Sequence, residues 1–146
     1  MFLDETQRRQ VAEMLAPMTR PVRLAFGTQA FGCETCDDTK RLLRELSEVE
    51  PRISVEEVNL VIDRDRAGAL HLEVAPSVAL LAVGDDGTEW DPGIRFMGIP
   101  AGYEFSSLLE AVVLVSTGQA VLADSSREQL AQLAGPTAVQ VFVTPT

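Results

Sequence analysis

The stretch "VRLAFGTQAFGCETCDDTKRLLREL", residues 22–46, holds both cysteines of the chain, Cys33 and Cys36. Its first part alternates Val22, Leu24 and Phe26 on one side, the period-2 pattern of a strand. Its last part sets Leu42, Leu43 and Leu46 at helical spacing, and the stripe continues to Val49 before Pro51 closes it. The cysteines therefore fall where a strand gives way to a helix. Backbone N–H groups at a helix N-terminus lack internal partners and carry partial positive charge, so a thiolate placed there is stabilised. This context predicts a redox couple with divided roles. Cys33, at the turn, attacks a substrate disulfide as thiolate; Cys36, one turn further in, resolves the mixed disulfide.

Two other readings of the pair stand beside this one. A zinc site needs about four ligands. The chain supplies two Cys and one His, so a carboxylate or a second chain would have to complete the set. The pair is also readable as two buried, inert thiols. No metal ligand is assigned. His71 reads as a surface or partly packed residue of a short helix.

Acidic residues crowd the pair: Glu34 lies between the cysteines, and Asp37 and Asp38 follow. Asp in a first helical turn favours the helix, but the same charge opposes a neighbouring thiolate. Cys33 is therefore expected to be less acidic, and the couple more reducing, than in strongly oxidising sites of this kind.

Outward from this stretch the pattern alternates helix and strand. "DETQRRQVAEMLAPM" places Val11, Met14, Leu15 and Met18 at helical spacing with Asp4 as N-cap, ended by Pro17 and Pro21. "RISVEEVNLVI" reads as a second strand, "DRDRAGALHLEV" as a short polar helix and "SVALLAV" as an apolar strand. "GDDGT" carries hairpin turn chemistry, and a further strand ends near "IRFMG". "GYEFSSLLEAVVLVS" is a long amphipathic helix. Trp90 and Tyr103 are expected to pack or to cover turns. The order α-β-α-β-α-β-β-α implies a right-handed β-α-β crossover with a closing hairpin. The expected fold class is α/β: a four-stranded mixed sheet flanked by helices.

Proline directly before an apolar strand cannot donate into the ladder. In "EVAPSVALL" the Ala75–Pro76 bond is expected to be cis, and the backbone of Ala75 to accept an extended substrate as an added strand. Glu34 and Thr35, between the cysteines, are assigned with Ala75 and Pro76 to substrate binding.

The end of the chain echoes its beginning. "DSSREQLAQLAGPTAVQVFVT" and "DETQRRQVAEMLAPMTRPVRLAFGT" both run acidic cap, helix, proline and alternating strand, with Asp4 answering Asp124 and Phe26 answering Val143. The expected domains are residues 1–116 and the start of a second, truncated unit over 117–146. The strand expected at 138–143 would seek a partner edge, on this unit or on another chain, which raises a homodimer through the tail.

The 146 residues carry 12 basic and 22 acidic side chains, a net charge of −10. That balance disfavours nucleic acid and anionic membranes as partners, since phosphate contacts need Lys and Arg. The sequence has no uninterrupted apolar run of about 18 residues, and "MFLDETQRRQ" lacks the layout of a secretory leader. The expected location is the cytoplasm, where thiols are kept reduced.

These residues together resemble a known family. A strand, C-x-x-C on a helix, a strand, a helix, a proline-initiated strand with hairpin and a last helix form the pattern of the thioredoxin fold. With "FMGIPAGYEF" and "VFVTPT" the chain is similar to the two-unit protein disulfide oxidoreductases, also called glutaredoxin-like domain proteins, over essentially its whole length. The resemblance implies that Cys33 and Cys36 are the active pair of a first unit and that Ala75 and Pro76 form the substrate-facing turn. It implies protein disulfides as substrates, a thioredoxin reductase-like donor or small thiols as reductant, no bound cofactor, and a role in cell redox homeostasis. The alternative is a non-catalytic docking module, or an electron-relay domain of a larger redox protein.

Overall fold

The computed structural model describes residues 2–144. Its elements are α1 (Glu5–Leu15), β1 (Val22–Thr28), α2 (Cys36–Val49), β2 (Ile53–Asn59), α3 (Arg64–Ala69), β3 (Ser77–Val83), β4 (Glu89–Trp90), β5 (Arg95–Met97), α4 (Tyr103–Thr117) and α5 (Asp124–Ala131). Asp4 caps α1 as expected. Its Oδ1 accepts from the Gln7 amide at 2.8 Å, and Gln7 Oε1 accepts from the Asp4 amide at 2.9 Å, a reciprocal capping box.

Strand β1 is central. It runs parallel to β2 from Val22–Ile53 to Thr28–Asn59 and antiparallel to β3 from Val22–Ala82 to Gly27–Ser77. The sheet order is β2-β1-β3-β4, with β5 also on β3. The fourth strand expected from sequence is split in two, which makes five strands. β4 pairs with Ala82 and Val83, and β5 with Ser77 to Ala79. The break falls at Asp91-Pro92-Gly93. Proline cannot donate to the ladder, Gly93 adopts a φ of +84°, and its amide bonds Asp91 Oδ1 at 2.8 Å.

Both faces of the sheet are covered. Val22, Leu24 and Phe26 of β1 join Leu15 of α1, Leu43 and Leu46 of α2, Val78 and Leu80 of β3, and Leu108 and Val112 of α4 in the larger core. Ala25, Ala79 and Leu81 meet Ala67 of α3, with Leu70 and Leu72, in the smaller one. A strand buried on both faces explains why "VALLAV" is apolar without alternation.

Two polar devices lock the layers. Ser116, buried near the end of α4, accepts from the amides of Thr19 at 2.9 Å and Arg20 at 3.1 Å and donates to the Arg20 carbonyl at 2.6 Å. Arg66 of α3 bonds Glu56 of β2 through two nitrogens and Glu89 of β4 through Nη2, and Glu89 also pairs with Arg23 of β1.

Several expectations need correction. The short polar helix ends at Ala69, and His71 lies beyond it at a φ of +51°. Trp90 and Tyr103 stay out of the core, at 57% and 86% exposed. Helix α5 forms, but none of its residues is buried. Residues 138–144 form no strand, and Val139, Val141 and Phe142 are exposed. Alternation alone does not make a strand: a ladder needs a partner edge, and this segment has none among the described residues. Also among the described residues, no helix is long and apolar enough to cross a membrane.

Candidate redox site at the start of helix α2

The strand directions bring three loops to one end of the sheet. β1 ends at Thr28 and leads through residues 29–35 into α2; β3, antiparallel to it, begins there at Ser77, after the Ala75–Pro76 turn. β5 arrives at the same end beside Ser77, and the Gly98 amide ties it to the Pro76 carbonyl at 2.8 Å.

Cys33 and Cys36 are joined in a disulfide, with Cα atoms 5.5 Å apart. Cys36 is the first residue of α2 and is 6% exposed; Cys33 lies in the preceding turn and is half-buried. Helix α2 therefore opens at the second cysteine. Cys36 is thus at the helix start and not one turn inside it as expected, and Cys33 is the more accessible of the two. Glu34 projects into solvent between them. Thr35 is the N-cap by position but supplies no side-chain cap; its carbonyl accepts from the Thr39 amide at 2.9 Å and from Thr39 Oγ1 at 2.8 Å. The N–H groups at the start of α2 are thus left without a capping side chain near the sulfurs.

The Ala75–Pro76 bond is cis. Ala75 and Cys33 are partly buried and pack against the same core, which includes Cys36, Phe26 and Val78. The Pro76 carbonyl is taken by Gly98, whereas the backbone N–H and C=O of Ala75 make no hydrogen bond among the described residues. The structure therefore gathers Cys33, Cys36, Glu34, Thr35, Ala75 and Pro76 at one end of the sheet.

The charges around the pair are unequal in sign. Lys40 donates to Glu57 at 2.7 Å, which holds that carboxyl below its ordinary value, and Arg41 pairs with Asp38. Glu34 and Asp37 have no cation beside them among the described residues. Also among the described residues, no group of three or more His, Cys, Asp and Glu side chains is placed to hold a metal ion. Periodicity did not reveal two exposed aromatics here, Phe31 at 90% and Tyr103 at 86%. Phe31 sits two residues before Cys33, and only its position in the loop before the pair could have signalled it.

No protein-family model matches the chain. The alkyl hydroperoxide reductase protein AhpF of Staphylococcus aureus is 29% identical over 145 residues, which is 99% of this chain and 25% of that protein. The Staphylococcus epidermidis protein of that name is 27% identical over the same share. The chain thus spans about a quarter of the length of the curated relatives it matches. Among solved structures, a protein disulfide oxidoreductase from Aeropyrum pernix superposes with a TM-score of 0.77 at 31% identity. It covers 92% of this chain, and the match covers 57% of that one. The NTD_N/C domain of alkyl hydroperoxide reductase AhpF from Enterococcus faecalis gives 0.75 at 27% identity, covering 88% and 59%. The fold is thioredoxin-like, and these relatives are oxidoreductases.

Proposed function

We propose that this thioredoxin-fold chain exchanges disulfides with protein substrates through Cys33 and Cys36. The observation that carries the reading is the placement of a half-buried Cys33, bonded to a buried Cys36 at the first residue of α2, beside the unpaired backbone of Ala75. In the reduced chain the Cys33 thiolate attacks one substrate sulfur. The substrate S–S bond breaks and its other sulfur leaves as thiolate. Cys36, deprotonated, then attacks Cys33 Sγ, and the second substrate sulfur leaves. Two electrons pass from the dithiol to the substrate, and the protons given up by Cys33 and Cys36 end on its thiols. An extended substrate strand bonding the Ala75 N–H and C=O aligns its sulfur with Cys33. A dithiol reductase or a small thiol returns the electrons. The chemistry requires no bound cofactor, and the reading puts the protein in the cytoplasm in a redox-homeostatic role.

A Cys36→Ser variant tests this. It should accumulate mixed disulfides through Cys33 when offered oxidised protein substrates, because the resolving thiol is gone. If none is trapped while Cys33 remains reactive to alkylation, the exchange reading fails.

A second reading is favoured by one observation: nearly the whole chain matches a quarter of a longer oxidoreductase protein. On that reading the dithiol relays electrons between other parts of a redox assembly, and the segment from 117, exposed from 121 to 144, belongs to a second unit or pairs with a second copy. Solution mass with and without residues 117–146 separates these: an unchanged oligomeric state argues against a tail-mediated dimer.

A further inference from the structure

We propose that the site selects protein disulfides set in a cationic, apolar segment. This rests on the exchange reading above and specifies its substrate class. The end of the sheet around the cysteines presents two kinds of group. Phe31 before Cys33, Val74 before Ala75 and Tyr103 at the start of α4 are 90%, 48% and 86% exposed. Phe31 and Val74 lie on loops and Tyr103 opens α4, all at the end of the sheet that holds the disulfide, where they offer an apolar contact face. Around them lie Glu34, Asp37 and Glu73, none paired with a cation among the described residues. Nearby cations are already engaged. Lys40 is held by Glu57, Arg41 by Asp38 and Arg95 by Asp91, while Arg64, beyond β2, donates to the Val61 carbonyl at 3.1 Å. The field over the sulfurs is therefore negative, and the chain as a whole carries −10. Such a field speeds encounter with a cationic segment and repels an anionic one. It also disfavours free glutathione, an anionic thiol, relative to a basic protein strand.

The sulfur chemistry is that given above: Cys33 Sγ bonds the substrate sulfur, the substrate disulfide breaks, and Cys36 completes the two-electron transfer.

The test uses the reduced full chain and two disulfide-cyclised peptides. Both carry apolar residues beside each cysteine; one is flanked by Lys and the other by Glu. Exchange is quenched with acid and read by mass. The Lys peptide should react about tenfold faster at low salt, and the ratio should fall toward one near 1 M salt as the charges are screened. Glu73→Lys should shrink the low-salt ratio. Equal rates for the two peptides at low salt overturn the proposal and leave the exchange reading standing. No exchange with either peptide overturns both.

Discussion

Gly27 of β1 faces Ser77 of β3 across the antiparallel ladder, and a Cβ on Gly27 would collide with Ser77 Oγ. Leu60 Cδ2 at 3.3 Å and Leu72 Cβ at 3.5 Å close the remaining space. The glycine sits one residue before the end of β1, and Ser77 follows Pro76 directly, so this close approach fixes the distance between the cysteine loop and the proline turn. Gly27→Ala should destabilise the fold by about 1–3 kcal/mol, the range for overpacking a core. Denaturant titration reads it. A change under about 0.3 kcal/mol would show that the two strands give way freely.

Ser77 Oγ is itself buried and has no hydrogen-bond partner among the described residues. An unmet buried hydroxyl costs free energy. Ser77→Ala should therefore stabilise the protein by about 1 kcal/mol. A loss of similar size instead would mean that the hydroxyl is satisfied in solution.

The Ser116 hydroxyl makes three hydrogen bonds to the segment that leads into β1. Ser116→Ala leaves the Thr19 and Arg20 amides without that acceptor and should cost about 1–3 kcal/mol. Thermal unfolding checks it, and an unchanged midpoint would show that this lock carries no stability.

Glu45 of α2 ties down the segment before α1. Its oxygens accept from the Phe2 amide at 2.7 Å and the Leu3 amide at 2.9 Å. Burial pushes its carboxyl upward, but those two N–H bonds and the Arg8 charge outweigh burial and leave it below its ordinary value. A carboxyl depressed in the folded state adds stability above its unfolded value, and that stability is lost as pH falls through the folded value. Glu45→Gln should therefore destabilise the protein at neutral pH and flatten the acid limb of the stability curve. An acid limb identical to that of the parent would contradict the assignment.

Glu34 and Asp37 flank the cysteines without cations of their own among the described residues. Removing both charges in Glu34→Gln/Asp37→Asn should raise the alkylation rate of Cys33 at pH 6 by about two- to tenfold, because a thiolate is stabilised when nearby anions are removed. A rate that stays level would show that solvent screens these carboxylates.

The fold was legible in residues 22–46 because strand and helix periods differ and the switch between them is abrupt. The Asp4 cap was legible for a similar reason, since its chemistry is local. The break at Asp91-Pro92-Gly93 was written in residue types, yet the flanking apolar residues suggested continuity. The tail strand failed because alternation in 138–143 states a preference that only a partner edge can satisfy. The Arg66–Glu56–Glu89 clamp joins residues far apart in sequence and had no local signal. At the site, the cysteines and the proline turn declared themselves by spacing. Phe31 and Tyr103 did not, because exposure of an aromatic depends on the packing around it.

The most direct measurement is the reduction potential of Cys33–Cys36. The protein is equilibrated in glutathione or dithiothreitol buffers, quenched with an alkylating agent and weighed. A reversible intramolecular disulfide is expected, with a potential between roughly −180 and −280 mV, a span typical of dithiol oxidoreductases, and toward its reducing end. A pair that forms no disulfide, or one that stays oxidised far below that span, would contradict a working exchange couple.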